Sequence, residues 1–205
     1  NNLIFSSTAA IYKYKNSMLH EKNKIKPIST YAKTKFQCEK LIKNSKLNTV
    51  ILRFFNVCSA LKIHNKVIGE FHNPETHLIP TVVYKNILKK KFYIYGDDYK
   101  TRDGSCIRDY VHIKDICSAI EKSIIFLFKN NNKFEIVNIG SSNSISNFDI
   151  LKNIKKITKI ENNFRVVKRR LGDVDKLKCS ISLIPLLQRE NCRSLVGSLL
   201  KTASL

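Results

Sequence analysis

Tyr31 and Lys35 stand four residues apart in the run Thr30-Tyr31-Ala32-Lys33-Thr34-Lys35. The run reads as the start of a helix, and at that spacing both side chains share one helix face. A phenol titrates near pKa ~10, and a neighbouring ammonium favours its ionised form. Such a pair can take a proton from a sugar hydroxyl at neutral pH. Taken alone, the spacing more often marks a half-buried Tyr beside an exposed Lys. A second candidate is the hydroxyl cluster Ser6-Ser7-Thr8, which follows the short apolar run Asn2-Leu3-Ile4-Phe5. Hydroxyls there serve either a turn or a ligand at the carboxyl end of a strand.

Those residues need elements to hold them. Asn2 to Phe5 reads as a strand, and Ala9 to Ser29 as a polar connection. Tyr31 to Lys46 reads as a helix capped by Ser29 or Thr30, with Cys38, Leu41 and Ile42 as its inward stripe. Thr49 to Val57 is a β-branched and aromatic run, hence a buried strand. Strand, connection, helix and strand make a crossover unit of a doubly wound sheet. Further on, Cys58 to Thr76 and Asp97 to Arg108 read as loops, and Tyr110 to Ile113 as extended chain. Helices are expected over Leu78 to Leu88, Ile116 to Phe128 (capped by Asp115) and Ser146 to Thr158. Strands are expected over Phe92 to Gly96, Glu135 to Gly140 and Phe164 to Val167. The fold class is therefore α/β. Beyond Cys179 no order of elements is legible.

Composition narrows the function. The 205 residues carry a net charge of +21, which raises nucleic-acid binding as an alternative. The lysines are spread through every segment, often beside Asn and Ile, and read as solvated faces. No zinc finger, RNP-type aromatic run or compact basic helix accompanies them, so no specific nucleic-acid partner is expected. The six cysteines form no Cys-x-x-Cys pair and no His stands at zinc-site spacing, so no metal is expected. With no signal peptide and no apolar run long enough for a membrane span, the cysteines read as thiols of a cytoplasmic protein.

Several blocks occur together in a telling order. They are Phe5-Ser6-Ser7-Thr8-Ala9-Ala10-Ile11-Tyr12, Tyr31-Ala32-Lys33-Thr34-Lys35 and Leu52-Arg53-Phe54-Phe55-Asn56-Val57. Then come His72-Asn73-Pro74-Glu75-Thr76-His77-Leu78-Ile79-Pro80, Tyr93-Ile94-Tyr95-Gly96-Asp97-Asp98-Tyr99, and Asp103 to His112. Lys168-Arg169-Arg170-Leu171-Gly172-Asp173 closes the series. From about Asn2 to Asp173 the chain resembles the UDP-glucose 4-epimerase family, extended short-chain dehydrogenase/reductases of the NAD-dependent epimerase/dehydratase class.

The resemblance implies the C-terminal portion of a Rossmann-type doubly wound parallel sheet plus a smaller α/β substrate-binding domain. It divides the chain into a remnant of the NAD-binding domain (1–57), a mainly UDP-sugar-binding part with interleaved Rossmann elements (58–173) and a divergent tail (174–205). It implies NAD-dependent interconversion of UDP-glucose and UDP-galactose through a 4-keto intermediate, and a homodimer. Tyr31 is then the catalytic base and acid, Lys35 its partner on the nicotinamide ribose, and Thr8 the hydroxyl that bonds the sugar's 4-hydroxyl. Phe55 borders the nicotinamide and Asn56 binds the substrate's phosphates. His77 and Leu78 lie on the substrate loop, and Tyr93, Ile94 and Tyr95 on the strand that holds uracil. Arg108 and Arg170 clamp the diphosphate, a task that suits guanidinium. Asp173 contacts the uridine ribose, and His112 is a packed strand histidine.

One departure matters. The six glycines form no Gly-x-Gly-x-x-Gly or close variant, the turn that seats a dinucleotide's pyrophosphate. The sequence also begins at Asn1, not Met. The expectation is an N-terminally truncated chain, inactive alone, with sheet edges and apolar faces left bare. A non-catalytic relative retaining UDP-sugar binding is the alternative.

Overall fold

The computed structural model describes residues 1–13, 17–70, 72–170 and 173–180. Strand β1 (Asn2–Thr8) runs into a 3-10 turn, Ala9–Ile11, capped by the Thr8 hydroxyl, which accepts from the Ala10 N–H. After the connection, Ser29 caps helix α1 (Thr30–Lys43) by accepting from the Ala32 N–H at 3.1 Å. Strand β2 (Asn48–Phe54) lies parallel to β1, pairing Ser7 with Arg53 and Thr8 with Phe54. The β-branched run does not continue to Val57 as one strand. It breaks at Phe55, and β3 (Asn56–Cys58) leaves for a different sheet.

The expected loop after Cys58 contains an antiparallel hairpin, β4 (Leu61–Ile63) and β5 (Lys66–Ile68). Helix α2 (Leu78–Ile87) follows, then β6 (Phe92–Tyr95). The expected loop to Arg108 ends in a short strand, β7 (Ile107–Arg108), and β8 (Tyr110–His112) pairs parallel with β3. Helix α3 (Ile113–Lys129) begins three residues early. Its cap is His112, whose Nδ1 accepts from the Lys114 N–H at 3.0 Å, and not Asp115. Strand β9 (Phe134–Ile139) returns to the central sheet beside β2, giving the parallel order β1-β2-β9.

Strand β10 (Ile145–Ser146) leads into α4 (Asn147–Thr158), whose Ser146 and Asp149 form a reciprocal capping box. Strand β11 (Phe164–Val167) pairs parallel with β6, and β12 (Lys176–Leu177) joins β7 beside β10. Residues 176–180 thus pack into the body of the protein, where the sequence suggested only a tail. Among the described residues no helix is long and apolar enough to cross a membrane, and none of the five described cysteines forms a disulfide.

Three apolar clusters hold this together. One lies beneath the central sheet and α3, built from Val50, Leu52, Val111, Ile116 and Leu127. A second joins β6, α2 and α4 through Val82, Phe92, Ile94, Ile150 and Ile154. The third joins the 3-10 turn, α1, Phe55 and Cys179. On the other flank the sheet is bare: among the described residues β1 pairs only with β2. A groove beside it is lined by Leu3, Ile4, Ile124 and Phe128, and Phe128 is 78% exposed.

Ile94 tests the second cluster. Ile94→Ala opens a cavity between β6 and the two helices, and we predict a loss of about 2–5 kcal/mol by denaturant unfolding. A loss under about 1 kcal/mol would mean that this cluster does not carry the β6–α2–α4 layer.

Candidate active site

The strands of the central sheet end together at Thr8, Phe54 and Ile139, which pair in register. Ligands of open parallel sheets sit at such carboxyl ends. Helix α1 packs across this end on β1 and the 3-10 turn. Tyr31, Lys35 and Glu39 recur every four residues, so one face of α1 carries all three.

Each of the three does something different. Tyr31 is 56% exposed. Lys35 Nζ donates to the Ser6 carbonyl at 2.8 Å and stands 5.9 Å from the centre of the Tyr31 ring. The Lys35 ammonium is thus tied to β1 one residue before the Ser7-Thr8 hydroxyls. Glu39 is buried. Its Oε1 accepts from Ser7 Oγ at 2.5 Å and from Arg53 Nε at 3.0 Å, and its Oε2 accepts from Arg53 Nη2 at 2.6 Å. Arg53, 1% exposed, also donates through Nη1 to the Tyr12 hydroxyl at 2.8 Å and to the Glu21 carbonyl at 3.1 Å. The Tyr12 hydroxyl in turn donates to Asn138 Oδ1 at 2.6 Å.

This network was not expected. The inward face of α1 is Ala32 and Glu39, whereas Leu41 of the expected stripe is 72% exposed. A charged residue inside the run Thr49 to Val57 was the available signal, because an arginine in a buried strand requires a partner. The network also separates two tyrosines. Burial pushes the Tyr12 phenol up to about 12, against the pull of Arg53 and Asn138, so it stays protonated. Tyr31 alone of the two offers its phenol to solvent.

The other residues of this end lie close by in the fold. Ala9, Ala32 and Phe55 share the third cluster, so the neighbours of Thr8 and Tyr31 pack with Phe55. The Phe55 N–H donates to the Ile139 carbonyl at 3.0 Å. Asn56 opens β3, and its side chain reaches the buried Tyr110 phenol. Asp109, fully buried, accepts from the N–H groups of Ser141, Ser142 and Cys179 at 2.6, 2.8 and 3.0 Å. That carboxylate fastens the ends of β9 and the 173–180 segment to the sheet. His112 points its Nε2 at Ser59 Oγ, 2.7 Å away, so its ring serves local structure.

A second group forms around β6 and Asp173. Arg108 Nη1 donates to the Val174 carbonyl at 2.8 Å, and its Nη2 lies 3.6 Å from Asp173 Oδ1. The Tyr99 hydroxyl lies 3.4 Å from Asp173 Oδ2. Burial and the Asp173 charge push that phenol up to about 12. The Arg170 guanidinium stacks 3.9 Å over the Tyr95 ring, and Arg169 4.0 Å over Tyr99. Tyr93 is exposed, whereas Ile94 and Leu78 put their side chains into the second cluster. His77 sits at the N-cap of α2 and pairs with Glu70 and Glu75.

Residues 1–140 match the NAD dependent epimerase/dehydratase family, and the chain belongs to it. It is 38% identical over 181 residues to a UDP-glucose 4-epimerase of Lactobacillus helveticus, covering 85% of this chain and 54% of the relative. A UDP-glucose 4-epimerase of Rhizobium meliloti is 35% identical over 176 residues, covering 83% of this chain and 53% of the relative. The solved UDP-glucose 4-epimerase of Brucella ovis, in complex with NAD, superposes with a TM-score of 0.88 at 31% identity. That superposition covers 99% of this chain and 64% of the other. The fold is thus the Rossmann-type α/β fold of these epimerases, and the chain spans about half the length of the curated relatives it matches.

Set against the family's cofactor, Phe55 packs with Ala32 beside Tyr31, but the six glycines of the sequence form no Gly-x-Gly-x-x-Gly turn for a pyrophosphate. Among the described residues Gly140 is the glycine at the carboxyl end of the central sheet. A Cβ there would meet Cys179 Cβ at 2.5 Å, so side-chain packing fills that space.

We predict that Glu39→Ala costs about 3–5 kcal/mol, because it strands the buried Arg53 charge. Adding Arg53→Met should recover part of that loss. A double variant whose unfolding energy equals the sum of the two singles would show that the two groups do not act as a pair.

Proposed function

We propose that this chain supplies the proton-transfer and UDP-sugar-binding part of an NAD-dependent UDP-glucose 4-epimerase. The observation that carries the reading is the α1 face. It ties Lys35 to the end of β1 and leaves the Tyr31 phenol free above the Thr8 end of the sheet. In this reading the Tyr31 phenolate takes the proton of the sugar's 4-hydroxyl and later returns it. Lys35 keeps positive charge beside the phenolate, and Thr8 orients the hydroxyl. NAD, when bound, supplies the hydride acceptor.

Binding falls to the second group. Arg108 and Arg170 take the two phosphates, with Asn56 as an amide donor to the same group. Tyr93 and Tyr95 flank the base on β6, the backbones of Ile94, His77 and Leu78 complete its walls, and Asp173 accepts from the ribose. Arg108 and Asp173 already hold each other in place. Arg170 reaches the phosphates only by leaving or sliding on the Tyr95 face. The resemblance extends the proposal to a cytoplasmic homodimer, which sedimentation of the purified chain checks.

Residues 1–205 alone do not turn over in this account, because no pyrophosphate cradle holds a hydride acceptor beside Tyr31. A second reading, a relative that binds UDP-sugar without catalysis, shares every binding residue and predicts the same titration. Calorimetric titration of the chain with UDP-glucose tests both. We expect saturable binding, weakened about tenfold to a hundredfold by Arg170→Ala, the worth of a charge-assisted hydrogen bond. With NAD added, we expect no conversion to UDP-galactose. Binding that ignores Arg170→Ala would sink the assigned phosphate site, and measurable conversion would sink the inactivity of the chain alone.

A further inference from the structure

Folding brings together three ligand-type side chains, two of them at a His-x4-His spacing. Glu70 follows the β4–β5 hairpin, His72 lies in the loop beyond it, and His77 caps α2. Glu70 Oε1 lies 2.8 Å from His72 Nε2 and 2.9 Å from His77 Nδ1. The donor atoms of all three lie within 4.8 Å of one another. We propose that Glu70, His72 and His77 form a binding site for a divalent transition-metal ion of the zinc class. One carboxylate oxygen and two imidazole nitrogens are its ligands.

The chemistry of the set and its support both favour this. Imidazole and carboxylate together suit zinc, cobalt and nickel, and not calcium or magnesium, which take oxygen sets. A tetrahedral ion holds its ligands about 2.0 Å away and so about 3.3 Å from each other. The two Glu70–imidazole distances therefore need to grow by only a few tenths of an ångström, with each ring proton shifting to the other nitrogen. The set is also held in advance. Glu75 accepts from the N–H groups of His72, Thr76 and His77 at 3.2, 2.8 and 2.8 Å. One carboxylate thus grips the backbone of both histidines and sets their rings 5.5 Å apart. Supporting groups of this kind orient ligands at metal sites. The two imidazoles are more than half exposed, so an ion enters freely and keeps a position for water. Ile79 and Val82 root the His77 end in the core, so a bound ion would fasten the loop after β5 to α2. Nothing in this inference depends on the nucleotide-sugar reading.

Cobalt(II) is the probe, because its spectrum reports its ligands. The metal-free chain, kept reduced, is titrated with cobalt chloride and followed by absorption. We expect one equivalent to bind with the weak bands of a nitrogen and oxygen set, lacking intense thiolate charge transfer, and to be displaced by zinc. Glu70→Gln and His72→Ala should each weaken binding at least tenfold. Neither side chain is a member of the three apolar clusters, so an unchanged circular-dichroism melt should confirm that each variant folds. No cobalt bands, bands of thiolate character, or affinity unchanged in both variants would overturn the site, leaving the cluster as imidazole–carboxylate hydrogen bonds alone.

Discussion

The pairing of Arg53 with Glu39 is the constraint on which the candidate site depends. Two charges taken out of water cost several kcal/mol each, and only close geometry with further hydrogen bonds offsets that. Here the guanidinium meets the carboxylate in two parallel bonds, and its Nη1 donates to Tyr12 and to the Glu21 carbonyl. Ser7 takes the other demand on Glu39. The result joins α1, β1, β2 and the connection between β1 and α1 at one buried point. Apolar packing alone would let α1 slide along the sheet, because Ala32 and a few flanking residues give it little to grip. The ion pair fixes its register, and with it the place of Lys35 and Tyr31 one and two turns earlier.

From that point the candidate site extends along the carboxyl ends of the strands. Lys35 is anchored to the Ser6 carbonyl, Thr8 caps the turn that follows, and Phe55 leaves the sheet where β3 begins. Asp109 secures the far side by holding three backbone N–H groups. The second group, around β6 and Asp173, rests on a separate core and presents arginines already seated on tyrosine faces. The opposite flank of the sheet tells a different story. Among the described residues β1 is unpaired on this side, and Leu3, Ile4, Ile124, Leu127 and Phe128 line a mostly apolar groove beside it. Parallel strands are ordinarily covered on both faces, so this flank is costly in water.

Much of this was legible from residue types. The β-branched runs and the helix between them point to an α/β sheet, and the Tyr31–Lys35 spacing and the hydroxyls after Phe5 mark candidates at its strand ends. Strand β11 falls where its pattern places it. What could not be read had a tertiary cause in each case. The run from Thr49 to Val57 is β-branched and aromatic nearly throughout, and nothing local marks Phe55 as the place where one strand becomes two. Glu39 looks like a solvated helix residue until Arg53 is folded against it. His112 replaces Asp115 as a cap because β8 delivers its ring to the helix end. His72 and His77 stand at a His-x4-His spacing, but no cysteine pair accompanies it and Glu70 adds no pattern; the Glu75 carboxylate, by gathering N–H groups, brings the three together. Short strands such as β7 and β12 carry too few residues to show a period, and they exist because Asp109 and the sheet edge hold them.

Hydrogen exchange of α1 tests the central claim most directly. The backbone amides of α1 should be strongly protected in the native chain. In Glu39→Gln those of its first two turns, from Ala32 to Glu39, should exchange at least tenfold faster, while β6, α4 and β11 keep their protection. That pattern would show that the buried pair holds the Tyr31 and Lys35 face against the sheet. Protection of α1 unchanged by the substitution would contradict the account, because packing alone would then suffice to place it.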